Sequence, residues 1–159
     1  MDEHTLKACL LALLIGVVAG LRTLTAPAAV SWASHVGKLH LGSTTWLAFL
    51  GYAWTPWILT LLALGELIGD QLPSTPSRTM PLGFGGRIIA GAFSGAAVGT
   101  AGGAMAGGMV AGIAGAIVGT LGGHAARVRL AGAFCRDRPA AFIEDAIALG
   151  AALAIVMAL

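Results

Sequence analysis

The chain has 159 residues, of which 57% are apolar and only 10% charged. A soluble domain carries about 25% charged residues because its surface must face water, so this chain cannot coat a soluble globule and its outer surface must face lipid. The formal net charge of +2 gives no global basic field for nucleic acid. The expected fold class is all-α, a polytopic transmembrane helical bundle of about five spans, with four to six admissible, forming a single integral membrane domain over residues 1–159.

The polar start, Asp2 to Lys7, carries Asp2 and Glu3 against one lysine, and no A-x-A site directly follows the apolar run behind it. That segment reads as a retained span, not a cleaved signal peptide. Residues 6–20 are apolar and end at Gly20-Leu21-Arg22-Thr23, and a second apolar stretch runs from Leu24 to Val36. Pro27 lacks an amide hydrogen and disfavours a helical residue before it. The two stretches are therefore one long helix broken between Arg22 and Pro27, or a helix followed by a short re-entrant segment. Residues 37–44 are polar and turn-like.

Trp46 to Ile68 is the second strong span. Trp46, Tyr52, Trp54 and Trp57 crowd its start around Pro56, and such aromatics favour the membrane–water boundary. Residues 70–83, with Pro73, Pro76 and Pro81, form a connection that cannot be regular helix.

Residues 84–123 are apolar and dense in glycine. As one helix they would reach roughly 60 Å against a hydrocarbon core of about 30 Å, so the run splits near Gly102 to Gly108 into two paired helices. Gly91, Gly95, Gly99 and Gly103 recur at one spacing, as do Gly108 and Gly112, and Gly115, Gly119 and Gly123. This glycine-zipper pattern lets two backbones approach closely, within one chain or between copies in a homo-oligomer. It is no dinucleotide fingerprint, since no strand precedes it. Nor is it a flexible linker, because apolar residues fill the gaps. Residues 124–140 hold Arg127, Arg129, Arg136 and Arg138 against the single acid Asp137, and Pro139 suits the first turn of a final helix, Ala140 to Leu159. A loop so rich in arginine faces the cytoplasm. Counting spans from it puts the N-terminus inside with Lys7 and Arg78. Lys38, the turn near Gly107 and the C-terminus fall outside.

Ionisable residues inside spans are costly and usually pair or line a polar path. The candidates for a solute or ion site are Arg22, Glu66, Asp70, Arg87, Glu144 and Asp145. Glu66 and Asp70 stand one helical turn apart on the cytoplasmic end of the second span. Arg87 opens the third span and is a natural ion-pair partner for Glu66. Glu144 and Asp145 open the last span, where the positive helix end suits acids. Arg22 stands apart from this group at the break, and interrupted helices mark binding sites in transporters. No metal-type spacing links His4, His35, His40, His124, Cys9 and Cys135, and no cofactor-binding or catalytic signature is present, so no enzyme is expected. Gly16/Gly20 and Gly115/Gly119 hint at an inverted repeat of spans one–two and four–five, but Glu66 ends its span whereas Glu144 opens its own.

Gly20-Leu21-Arg22, Glu66-x-x-x-Asp70-x-x-Pro73 and Glu144-Asp145 resemble the pattern of a bacterial family of multi-pass membrane proteins, the domain of unknown function 4126. The resemblance implies a helical protein of the bacterial cytoplasmic membrane. It implies no activity and no ligand residue, and its motifs do not cover the glycine-rich connection from Arg78 to Arg87. Two functions suit the residues. One is a small transporter or channel for a solute or ion, with buried charges lining a polar site. The alternative is a non-catalytic scaffold or assembly protein whose charges are structural ion pairs. A lipid-headgroup enzyme, needing a cleft joining Asp70, Glu144 and Arg127, is a distant third. Beyond the lipid bilayer, the only partners expected are that solute or ion and a second copy of the chain.

Overall fold

In the computed structural model, which describes residues 2–42, 45–69, 81–134 and 137–159, the protein is all-helical, with no strand among those residues. The helices are α1 (Glu3–Leu21), α2 (Thr25–His35), α3 (Thr55–Gly69), α4 (Pro81–Ala101), α5 (Met105–Phe134) and α6 (Asp137–Ala158). A short 3₁₀ segment, Trp46–Gly51, precedes α3. Four helices, α1, α4, α5 and α6, are long and apolar enough to cross a bilayer. The 11 residues of α2 and the 15 of α3 reach only about 16 and 22 Å against a core of about 30 Å.

The tightest packing joins α5 to α1 on one side and α4 on the other. Backbone meets backbone there. A methyl group on Gly16 would strike the Gly112 carbonyl, and one on Gly20 would strike Ala116 and Thr120. Gly115 and Gly119 lie against Leu13 and Val17 of α1, while Gly91, Gly95 and Gly99 of α4 face Gly112 and Gly108. Close approach of this kind maximises van der Waals contact, the main source of helix association where lipid removes the hydrophobic drive. Every one of these faces is filled by a helix of the same chain, so they are not open to join two copies. Gly103, expected on the packing face, instead makes the α4–α5 turn at φ +68°, a conformation that glycine adopts without strain.

Three contacts fix the direction of the helices. The Lys7 ammonium donates to the Ala158 carbonyl at 2.8 Å, the Lys38 ammonium to the Met157 carbonyl at 3.3 Å, and the Thr5 hydroxyl to the Gly102 carbonyl at 3.3 Å. One end of the bundle therefore gathers the start of α1, the turn after α2, the α4–α5 turn and the C-terminus. We call it the terminal end. The expectation of chain ends on opposite sides is corrected, because α2 is not a continuation of α1 but folds back beside it. That reversal also makes α1 and α5 parallel, so the helices bearing Gly16/Gly20 and Gly115/Gly119 do not form an inverted pair.

Several element boundaries differ from the sequence reading, among them the start of α4, which begins at Pro81 inside the stretch expected to be non-helical, because proline suits a first helical position. The span expected from Trp46 starts as an α-helix only at Thr55, because the Thr55 hydroxyl ties back to the Phe49 carbonyl at 2.7 Å and Pro56 occupies the first turn. The arginine-rich stretch is not a loop throughout, since α5 continues to Phe134 and carries Arg127 and Arg129 on its last turns. Cys135 and Arg136 lie outside the described residues.

Candidate functional site: a charged cluster at the broken helix

The opposite end of the bundle is organised around the break between α1 and α2. Arg22 leaves the helix at φ −139°, ψ 110°, while its amide still donates to the Val18 carbonyl at 2.7 Å. The helix is resumed at Thr25, and Pro27 sits in its first turn, where a missing N–H costs nothing. The intervening amides of Thr23 and Leu24 have no helical acceptor. Both are taken by Glu66 of α3: Thr23 N–H donates to Oε1 and Leu24 N–H to Oε2, each at 2.8 Å. One carboxylate thus spans two successive amides at the positive end of α2, the place where a helix attracts an anion.

Arg22 is wholly buried, and its guanidinium is ion-paired with Asp145 of α6. Beside it Glu144 lies 3.7 Å from Arg127 of α5. Arg87 is 5% exposed, and it follows Gly86, whose backbone faces the Thr23 methyl group. Five of the six candidates, Arg22, Glu66, Arg87, Glu144 and Asp145, therefore meet at one end of the bundle. The sixth, Asp70, lies outside the described residues, as do Pro73 and Arg78.

The structure corrects two expectations here. Arg22 is not apart from the acids but central to them, because the reversal at Thr23 brings it against Asp145, about two turns into α6. Glu66 satisfies the α2 backbone in place of pairing with Arg87, since buried amides without an acceptor are costly and a carboxylate takes two of them at once. Sequence reasoning missed the Thr23 and Leu24 amides and the buried Thr25 hydroxyl, which has no hydrogen-bond partner. Pro27, which suits a first helical turn because it lacks an N–H, was their one trace in the sequence.

No family model, curated protein or solved structure matches the chain. The cluster has to be read from its own chemistry. Among the described residues no three His, Cys, Asp or Glu side chains gather in a metal-holding group. What the cluster offers is two backbone donors, buried guanidinium groups and carboxylates already engaged with them.

Proposed function

We propose that this multi-pass membrane protein is a small transporter or channel for a solute or ion, with the charged cluster at the α1–α2 break as its polar site. The observation that carries this reading is the interrupted helix, whose second half points its positive end at the Glu66 carboxylate. Half-helix ends at a bundle interior are how transporters receive charged substrates and coupling ions. The reading includes no bond-making step. The arginines at this end favour the cytoplasmic side of a bacterial inner membrane, which would put both chain termini outside. Arg22, Glu66, Glu144 and Asp145, the described charged residues of the motifs that resemble the domain of unknown function 4126, meet at this end, and we propose membership on that basis.

The test is flux into proteoliposomes holding the purified full chain, with labelled small anions and alkali cations as probes. Glu66→Gln is expected to abolish flux with assembly intact, and normal flux in that variant would end the reading.

A second reading is favoured by a specific observation. Arg22 with Asp145 and Glu66 with the α2 amides are satisfied within the chain, as locks in a scaffold would be. The two readings part on water access. A cysteine at position 66 (Glu66→Cys, with Cys9→Ser and Cys135→Ser) labelled by an impermeant thiol reagent from the terminal end would mean an aqueous path. Labelling from the charged end alone would favour the scaffold.

A further inference from the structure

Next to the cluster a groove opens sideways between α2, α3 and α6. Its volume is about 290 Å³, and Thr25, Ala29, Trp32, Ala63, Leu149 and Leu153 are among its lining residues. It exists because α3 packs chiefly against α2 and leaves a gap before α6. Along α2 it runs from Thr25 to Trp32, a length of about 10 Å. The wall is apolar but for the hydroxyls of Thr25 and Thr60. The Thr60 hydroxyl is used, donating to the Pro56 carbonyl and accepting from the Trp32 indole. The Thr25 hydroxyl is not: the residue is 4% exposed and its oxygen has no hydrogen-bond partner. A buried hydroxyl left so is costly, and it is free to donate to a ligand.

The end of the groove at Thr25 adjoins the amides that hold Glu66. Leu24, one of the two donors, precedes Thr25, and Glu66 sits between groove residues Ala63 and Leu67 on α3. Head and tail positions are thus continuous: two amides spanned by a carboxylate, a spare hydroxyl, then an apolar channel. An apolar groove that begins at exchangeable backbone donors and a spare hydroxyl suits an amphiphile, whose polar head and apolar tail are likewise joined. A single alkyl chain fits.

We propose that this site binds a single-chain amphiphile with a carboxylate head, a long-chain carboxylate, in exchange for Glu66. The ligand's two oxygens take the Thr23 and Leu24 amides, the Thr25 hydroxyl donates to the same head, and the chain lies along Ala29 toward Trp32. Glu66 is the internal competitor that holds the amides when the site is empty and returns to expel the ligand. No covalent step is involved. The inference deepens the transport reading by naming its substrate class, and rests on it only for the ligand being moved and not merely held.

The experiment uses Trp32 as reporter in the purified full chain carrying Trp46→Phe, Trp54→Phe and Trp57→Phe. The probes are 11-bromoundecanoate and the matching bromo-alcohol, whose bromine quenches indole fluorescence on contact. Saturable quenching by the carboxylate is expected, at least tenfold tighter than by the alcohol. It should tighten a further tenfold in Glu66→Ala, or in Glu66→Gln should the first fail to fold, and vanish when Ala29→Phe fills the groove. Equal quenching by acid and alcohol would overturn the carboxylate site. So would quenching that does not saturate, or affinity unmoved in both Glu66 variants. Saturable binding without flux of the carboxylate in proteoliposomes would leave the site standing and end the transport reading alone.

Discussion

Arg22, at the break between α1 and α2, is wholly buried and ion-paired with Asp145, about two turns into α6. The pair ties the chain's first turn-back to its last helix, and it places a positive charge beside the amides that Glu66 occupies. Desolvating two charges is costly, so such a pair is tolerable only while both members are present.

Removing one member should therefore cost more than removing both. Asp145→Ala is expected to destabilise the protein by about 3–5 kcal/mol, and the double variant Arg22→Met/Asp145→Leu by much less. Unfolding of the detergent-solubilised chain by denaturant would measure both. Equal losses would show that the arginine's burial does not depend on the aspartate.

Glu66 satisfies two backbone donors with one side chain, and a charged acceptor is worth about 1.5–3 kcal/mol per hydrogen bond. Glu66→Gln should retain part of that and Glu66→Ala none. Hydrogen exchange at the Thr23 and Leu24 amides should quicken in that order. Unchanged exchange in Glu66→Ala would mean that something else protects them.

The glycines divide into two kinds, and the division is testable. Gly112 lies against the Gly91 carbonyl and the Gly95 Cα, whereas Gly65 and Gly150 face open space. Gly112→Ala should separate α4 and α5 and lower stability by about 1–3 kcal/mol through overpacking. Gly65→Ala and Gly150→Ala should leave stability unchanged or raise it by up to about 1 kcal/mol, since alanine is the better helix former. Thermal unfolding of the three variants distinguishes these effects.

The hydrogen bond from Lys7 to Ala158 predicts a topology. Single cysteines introduced as His4→Cys and Leu159→Cys, with Cys9→Ser and Cys135→Ser, should react with an impermeant reagent from the same side of the membrane. Arg129→Cys should react from the other. Reaction of positions 4 and 159 from opposite sides would contradict the reversal at Thr23.

Much of this was legible in the residues. The charge-poor composition required a membrane bundle, and Pro27 marked the break beside Arg22. Gly102-Gly103 divided the long apolar run, and Pro139 fell in the first turn of the last helix. Each is a local matter: hydropathy, a missing amide hydrogen, a backbone at positive φ. The six charged candidates were likewise visible, because a charge in an apolar span stands out wherever it sits.

What the sequence could not carry is direction and partnership. Whether α2 extends α1 or folds back depends on contacts with α3 and α6, far along the chain, and that choice alone moved Arg22 into the acid cluster and both termini to one end. Glu66 could as well have met Arg87, and it bonds to the backbone because the reversal exposes two amides that nothing nearer can satisfy. The glycine spacing likewise announced close packing without naming the partner. The sequence by itself determined a helical membrane protein with a broken first segment and buried charge. The tertiary structure decided which groups meet, because pairing energy depends on distances in space that residue spacing sets only within a single helix.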